Sequence, residues 1–110
     1  MPTTTIESVT DDSFQAEVLD SEQPVLVDFT AAWCPPCRVM KPVLAELAAE
    51  RPGLRVVQVD VDAHQRTAAT YRVLAMPTFI LFRGGRPILR LVGARSRAKL
   101  AGELAAEGGA

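Results

Sequence analysis

With 110 residues, 48 % hydrophobic and 23 % charged, the chain has enough apolar material for one core and is read as a single domain over 1–110. The formal net charge of -1 supplies no basic field, which excludes nucleic acid and anionic lipid as expected partners. The longest mainly apolar runs, Val25–Val27 and Thr78–Phe82, are far too short to cross a bilayer.

The opening stretch Met1–Glu7 has no basic start and no apolar centre, so it is not read as a secretory signal, and the expected location is cytoplasmic. A short strand is predicted near Thr5–Val9. Thr10 then reads as a helix N-cap, with Asp11 and Asp12 in a first turn that favours negative charge. Phe14, Val18 and Leu19 recur at helical spacing and form the stripe to be buried. Ser21–Pro24 breaks that helix.

Val25–Phe29 is continuously apolar except for Asp28, the pattern of a central strand covered on both faces. A carboxylate inside such a strand is costly unless it has a partner or a task. The next helix is predicted from Cys34 to about Arg51. Val39, Met40, Val43, Leu44, Leu47 and Ala48 make its apolar face, and Pro42 should kink it. Arg51–Gly53 stops it.

Leu54–Val61 reads as a second buried strand, and Asp62 as the cap of a short helix over His64–Tyr71. Thr78–Phe82 is a third inner strand. Arg83-Gly84-Gly85-Arg86 turns it into an antiparallel partner, Pro87–Val92. Ser96 caps a last helix that carries Leu100 and Leu104 and ends before Gly108. The order β-α-β-α-β-α-β-β-α predicts an α/β fold: a mixed sheet of about five strands, mostly parallel inside, flanked by four helices.

The two cysteines lie in Trp33-Cys34-Pro35-Pro36-Cys37, where a central strand hands over to a helix. That is the carboxyl end of a strand, the usual place for a site in an open α/β sheet. A cysteine at a helix N-terminus has its thiolate stabilised by the dipole and by unpaired N–H groups. Cys37 follows one turn later on the same side. Proline is tolerated at a helix start because its missing N–H would be unpaired anyway. The chemistry this pattern supports is thiol–disulfide exchange, with Cys34 attacking and Cys37 resolving. Asp28, on the strand beneath, is the candidate proton acceptor for Cys37, its pKa raised by burial. The alternatives are an inert buried pair or half of a zinc site. The second lacks ligands at suitable spacing, since only His64 and scattered carboxylates are available.

Val25-Leu-Val-Asp-Phe29, Ala32-Trp-Cys-Pro-Pro-Cys37, Lys41-Pro42, Val59-Asp-Val-Asp62, Met76-Pro-Thr78 and Val92-Gly-Ala94 together resemble, in order and spacing, the motifs of thioredoxins. The resemblance runs from about Ile6 to Ala105. It implies the thioredoxin fold and the reduction of protein disulfides, with Cys34 as nucleophile, Cys37 as resolving thiol and Asp28 as the buried acid. It makes Pro77 a cis-proline facing the cysteines and Met76 a backbone partner for extended substrate. Trp33, Pro35, Gly93 and Ala94 complete a shallow apolar groove. It implies a thioredoxin reductase, fed by NADPH, as electron donor, disulfide-containing proteins as substrates, a monomer, and no cofactor or metal in this chain.

Three positions depart from the common family pattern. Pro35 stands where glycine is usual, and this is expected to alter the redox potential modestly. Thr30 replaces a frequent tryptophan, leaving Trp33 as the only one. Gln58 replaces a frequent lysine, which is expected to leave Asp28 without a cation. His64, Arg38 and Lys41 read most simply as surface residues of helices, with Arg38 as a possible aid to the thiolate. Tyr71 and the phenylalanines read as core. Two other functions share the fold or the groove: a disulfide oxidant or isomerase, and a binding subunit with idle thiols.

Overall fold

The computed structural model describes residues 6–107. Thr5 of the first predicted strand lies outside them. The strands are β1 (Glu7–Ser8), β2 (Val25–Thr30), β3 (Arg55–Asp60), β4 (Thr78–Arg83) and β5 (Arg86–Val92). They form one sheet in the order β1-β3-β2-β4-β5. The helices are a π-helical segment, Gln15–Leu19, then α1 (Pro35–Glu50), α2 (Gln65–Thr70) and α3 (Arg97–Ala105).

All six residues of β2 are buried, as its apolar run requires of a central strand. Period-two alternation sends Val25, Val27 and Phe29 to one face, with Phe14, Val18, Val57, Val59, Ile80 and Phe82. Leu26 points to the other face, where Met40, Leu44 and Leu47 of α1 and Leu100 and Leu104 of α3 cover it together with Val56, Phe79 and Leu81. Asp28, two residues after Leu26, therefore projects beneath α1. Phe14, Tyr71 and Phe82 meet with ring centroids 5.1–5.6 Å apart, the last two edge-to-face.

The sheet is mixed, as predicted, with as many antiparallel as parallel pairings rather than a mostly parallel interior. β1–β3 and β2–β3 are parallel, but β2–β4 and β4–β5 are antiparallel. A parallel β4 needs a crossover that returns the chain along the whole sheet. The six-residue α2 spans only about 9 Å, against roughly 20 Å for a six-residue strand. β4 therefore starts at the same end where β3 finishes. Gly84 and Gly85 both have positive φ (60° and 78°), as a two-residue type I′ hairpin turn requires.

Smaller corrections concern caps and faces. Cys34 is the N-cap of α1, with Pro35 its first helical residue. Val39 is 64 % exposed and off the apolar face, while Val43 and Ala48 pack against its edge. The helix continues through Pro42. Thr10 is not the cap of the first helical segment, whose N-cap position is Phe14 with no side-chain cap bond; its Oγ1 accepts the Ser13 N–H at 3.0 Å and Ser13 Oγ accepts the Thr10 N–H at 2.9 Å, which closes the turn before it. Asp62 does not cap α2. That role falls to Asp11, whose carboxylate accepts the Thr67 N–H at 2.8 Å and the Arg66 N–H at 3.4 Å. Ser96 caps α3 by accepting the Lys99 N–H at 3.2 Å.

Candidate redox site

The site forms where β2 ends and α1 begins. Cys34 adopts extended backbone (φ -98°, ψ 105°), and Pro35 and Pro36 occupy the next positions. Those two positions would offer unpaired N–H groups, so proline removes nothing the helix uses. Cys37 brings its sulfur back over the helix start, and the two cysteines are joined in a disulfide with a Cα–Cα distance of 5.3 Å. The Cys37 N–H donates to Cys34 Sγ at 3.2 Å. A sulfur at this position receives both that hydrogen bond and the positive end of the helix dipole, which together favour a thiolate once the disulfide is opened.

Both cysteines are buried, Cys34 2 % exposed and Cys37 fully covered, in a small cluster with Ala31, edged by Val61 and Met76. Cys34 Sγ lies 3.7 Å from the Met76 carbonyl oxygen. The Met76–Pro77 bond is cis, as the resemblance implied. The Gly93 N–H donates to the Pro77 carbonyl at 2.8 Å, which brings the loop after β5 alongside. Gly93 has φ +100°, a backbone only glycine adopts freely. Trp33 is 61 % exposed, and its indole N–H donates to Asp62 Oδ2 at 2.7 Å. Asp62 therefore steadies the ring beside the cysteines instead of a helix end. Pro35 and Ala94 are exposed and Met76 half-buried.

Asp28 is completely buried, and neither carboxyl oxygen has a hydrogen-bond partner among the described residues. Burial pushes its carboxyl up to about 7, and the Lys41 ammonium opposes this in part. The cation is a correction to the expectation drawn from Gln58. Gln58 lies opposite Asp28 across the β2–β3 pair. Its Oε1 accepts from Lys41 Nζ at 2.8 Å. Its amide nitrogen donates to the Ile6 carbonyl and to Ser8 Oγ, each at 3.3 Å. Lys41 is therefore tethered toward the acid. Its position one turn beyond Cys37 on the same helix was the signal for this. Arg38 donates to the Ala32 carbonyl at 2.9 Å, which holds the loop before Trp33. His64 occupies the N-cap of α2, and its Nδ1 accepts the Asp11 N–H at 3.3 Å.

A cavity of about 250 Å³ beside this region is lined by Thr30, Ala31, Arg38, Lys41, Gln58 and Asp60, among others, and by neither cysteine. Among the described residues no group of three or more His, Cys, Asp or Glu side chains is placed to hold a metal ion. No described helix is long and apolar enough to cross a membrane.

A family model described as thioredoxin matches residues 5–106. The chain belongs to the thioredoxin family. A thioredoxin of Mycolicibacterium smegmatis is 50 % identical over 100 residues, 88 % of this chain and 89 % of that protein. A thioredoxin of Mycobacterium tuberculosis strain H37Rv is 50 % identical over 97 residues, 87 % of this chain and 84 % of that one. A bifunctional thioredoxin reductase/thioredoxin of Mycobacterium leprae is 51 % identical over 97 residues, which make up 21 % of that longer protein. Family membership and the paired cysteines make this chain a protein-disulfide oxidoreductase that works by dithiol exchange.

Proposed function

We propose that Cys34 is the attacking thiolate, Cys37 the resolving thiol and Asp28 the proton acceptor in the reduction of protein disulfides. In the dithiol form, Cys34 thiolate attacks one sulfur of a substrate disulfide. A Cys34–substrate bond forms, the substrate bond breaks, and the other substrate sulfur leaves as thiolate. Cys37 then loses its proton toward Asp28 and attacks Cys34 Sγ. The mixed disulfide breaks and the second substrate thiolate departs. The substrate disulfide has gained two electrons, and Cys34 and Cys37 end as the disulfide.

The observation that carries this reading is the setting of Cys34 Sγ. It receives the Cys37 N–H at 3.2 Å and lies 3.7 Å from the Met76 carbonyl. An extended substrate segment pairing with the backbone of Met76 has its disulfide delivered to that sulfur. Trp33, Pro35, Pro77, Gly93 and Ala94 would form the rest of the groove. The exposure of Trp33, Pro35 and Ala94 next to the cysteines suits a segment of a protein better than an enclosed small molecule.

A thioredoxin reductase drawing on NADPH is the proposed electron donor, a role supported by the joined reductase and thioredoxin of the Mycobacterium leprae relative. The chain would act as one domain over 1–110, as a monomer in the cytoplasm, with no cofactor of its own. Insulin reduction with NADPH and a thioredoxin reductase tests the reading. Activity should vanish in Cys34→Ser, and Cys37→Ser should accumulate the mixed disulfide. A Cys34→Ser variant that still reduces insulin would overturn it.

A further inference from the structure

The wall of the groove formed by the loop after β5 has no side-chain packing of its own at Gly93. A Cβ built there meets no atom within 4 Å, so nothing steric holds the backbone in its φ +100° conformation. Beyond the bond from the Gly93 N–H to the Pro77 carbonyl, what holds it is Arg95. Its Nη2 donates to the Val92 carbonyl at 2.8 Å and its Nε to the Gly93 carbonyl at 3.2 Å. Its Nη1 donates to both carboxylate oxygens of Glu103 in α3, at 2.8 and 2.7 Å. Its backbone N–H lies 3.5 Å from Sδ of Met40, a fully buried residue of α1. The Arg95 side chain is 10 % exposed and that of Glu103 26 %. Every guanidinium nitrogen is engaged, and a planar fork fixes several acceptors at once in a way a lysine ammonium does not.

We propose that Arg95, anchored by Glu103, is a positioning residue for substrate binding: it pins the Val92 and Gly93 carbonyls and so sets the groove wall next to Pro77 and Met76. The inference rests on the reading of Gly93 and Ala94 as groove residues. Without the fork the glycine-containing loop samples other backbone states, and extended substrate must then order it on binding. The loss falls on protein substrates, which use the wall. A small disulfide that reaches Cys34 without touching the wall is spared.

The test uses the full chain with Arg95→Leu, Arg95→Lys, Glu103→Gln and, as a control, Arg55→Leu. Arg55 is another partly buried, ion-paired arginine, at the opposite end of the sheet (24 % exposed, paired with Glu7 and Glu17). Reduction of insulin and of the small aromatic disulfide dithiobis(nitrobenzoate) is followed after circular dichroism has verified the fold. Arg95→Leu should raise KM for insulin roughly 5- to 10-fold, with kcat and the small-disulfide rate within about twofold of the parent. Arg95→Lys and Glu103→Gln should fall between the parent and Arg95→Leu, and Arg55→Leu should leave KM alone. A folded Arg95→Leu with the parental KM overturns the proposal, as does an equal loss on both substrates. If Arg95→Leu does not fold, parental KM values in both milder variants overturn it. A parent chain that reduces neither disulfide refutes the redox reading itself, a separate result.

Discussion

Replacing Asp28 with asparagine should change how stability depends on pH more than it changes anything else in the fold. The carboxyl is pushed from 3.8 up to about 7 by burial. The folded chain thus keeps a proton on Asp28 between roughly pH 4 and 7 that the unfolded chain gives up. Stability falls with rising pH wherever the folded state binds more protons, so the parent loses stability across that window and stays level above it, as far as Asp28 is concerned. About three pH units at ~1.4 kcal/mol each amount to about 4 kcal/mol. Asparagine does not ionise. It keeps the size of the side chain and leaves a neutral amide in the same pocket, whose own burial penalty is independent of pH. Urea unfolding of both oxidised proteins at half-unit steps from pH 4 to pH 9 measures the difference. The variant should gain about 4 kcal/mol relative to the parent between pH 4 and pH 8, with the midpoint of the divergence near the centre of the window. Parallel profiles, with a gap constant to within about 1 kcal/mol, would mean that Asp28 titrates as an ordinary surface carboxylate and that the burial argument fails.

Other parts of the structure make equally direct predictions. Lys41→Gln removes the cation that opposes burial at Asp28, so the Asp28 carboxyl should titrate above its value of about 7, visible by carbon NMR of the labelled side chain. Arg72 has φ 53° at the end of α2, where its N–H bonds to the Ala69 carbonyl and the Val73 N–H to the Ala68 carbonyl, a turn that favours glycine; Arg72→Gly should stabilise by about 1 kcal/mol in urea unfolding. Gly85→Ala forces a side chain onto φ 78° and brings a Cβ to 3.0 Å from the Leu19 carbonyl oxygen, so it should destabilise by about 1–3 kcal/mol, whereas Gly84→Asn, with open space and φ 60°, should stay within about 0.5 kcal/mol. Asp11→Ala removes the acceptor for the Thr67 and Arg66 N–H groups and should lower Tm by a few degrees at pH 7; the difference should shrink as acid protonates the parent carboxylate, whose pKa is held below its usual value by the Thr67 hydroxyl and N–H.

What could be read in the sequence divides along the distance between partners. The cysteine pair, its helix start and the buried strand acid are local patterns, and each needs only its own neighbours to be recognised. The hairpin at Gly84-Gly85 and the Ser96 cap are local in the same sense. The Asp62 cap of α2 fails because a cap is recognised by adjacency, while Asp11, which takes the role, reaches α2 from 55 and 56 positions away. Lys41 is exposed, as its helix face predicts, but its tether toward Asp28 is not legible because its partner Gln58 lies on another element, 17 positions on. The direction of β4 against β2 is not legible for a related reason: alternation of strands and helices does not say whether a helix is long enough to return the chain. Val39 failed differently. It fits the helical period, but it falls at the margin of the stripe, where no neighbouring element arrives to cover it.

The burial of Asp28 that weakens the fold at neutral pH is also what suits it to the proton-acceptor role proposed for it. A carboxylate with its ordinary pKa near 4 is a poor acceptor for a thiol proton, because most of the thiol's acidity gap of more than four units would oppose the transfer. Raising the carboxyl to about 7 closes much of that gap without adding another reactive group. Lys41, tethered by Gln58, limits how far the rise goes, so the acid still gives its proton back to solvent near neutrality. Fold and chemistry therefore share one variable, the dryness of the space beneath α1. Any substitution that wets it should gain stability at high pH and lose resolving power at Cys37 together. A variant that separated those two effects would show that the proton leaves Cys37 by a route other than Asp28.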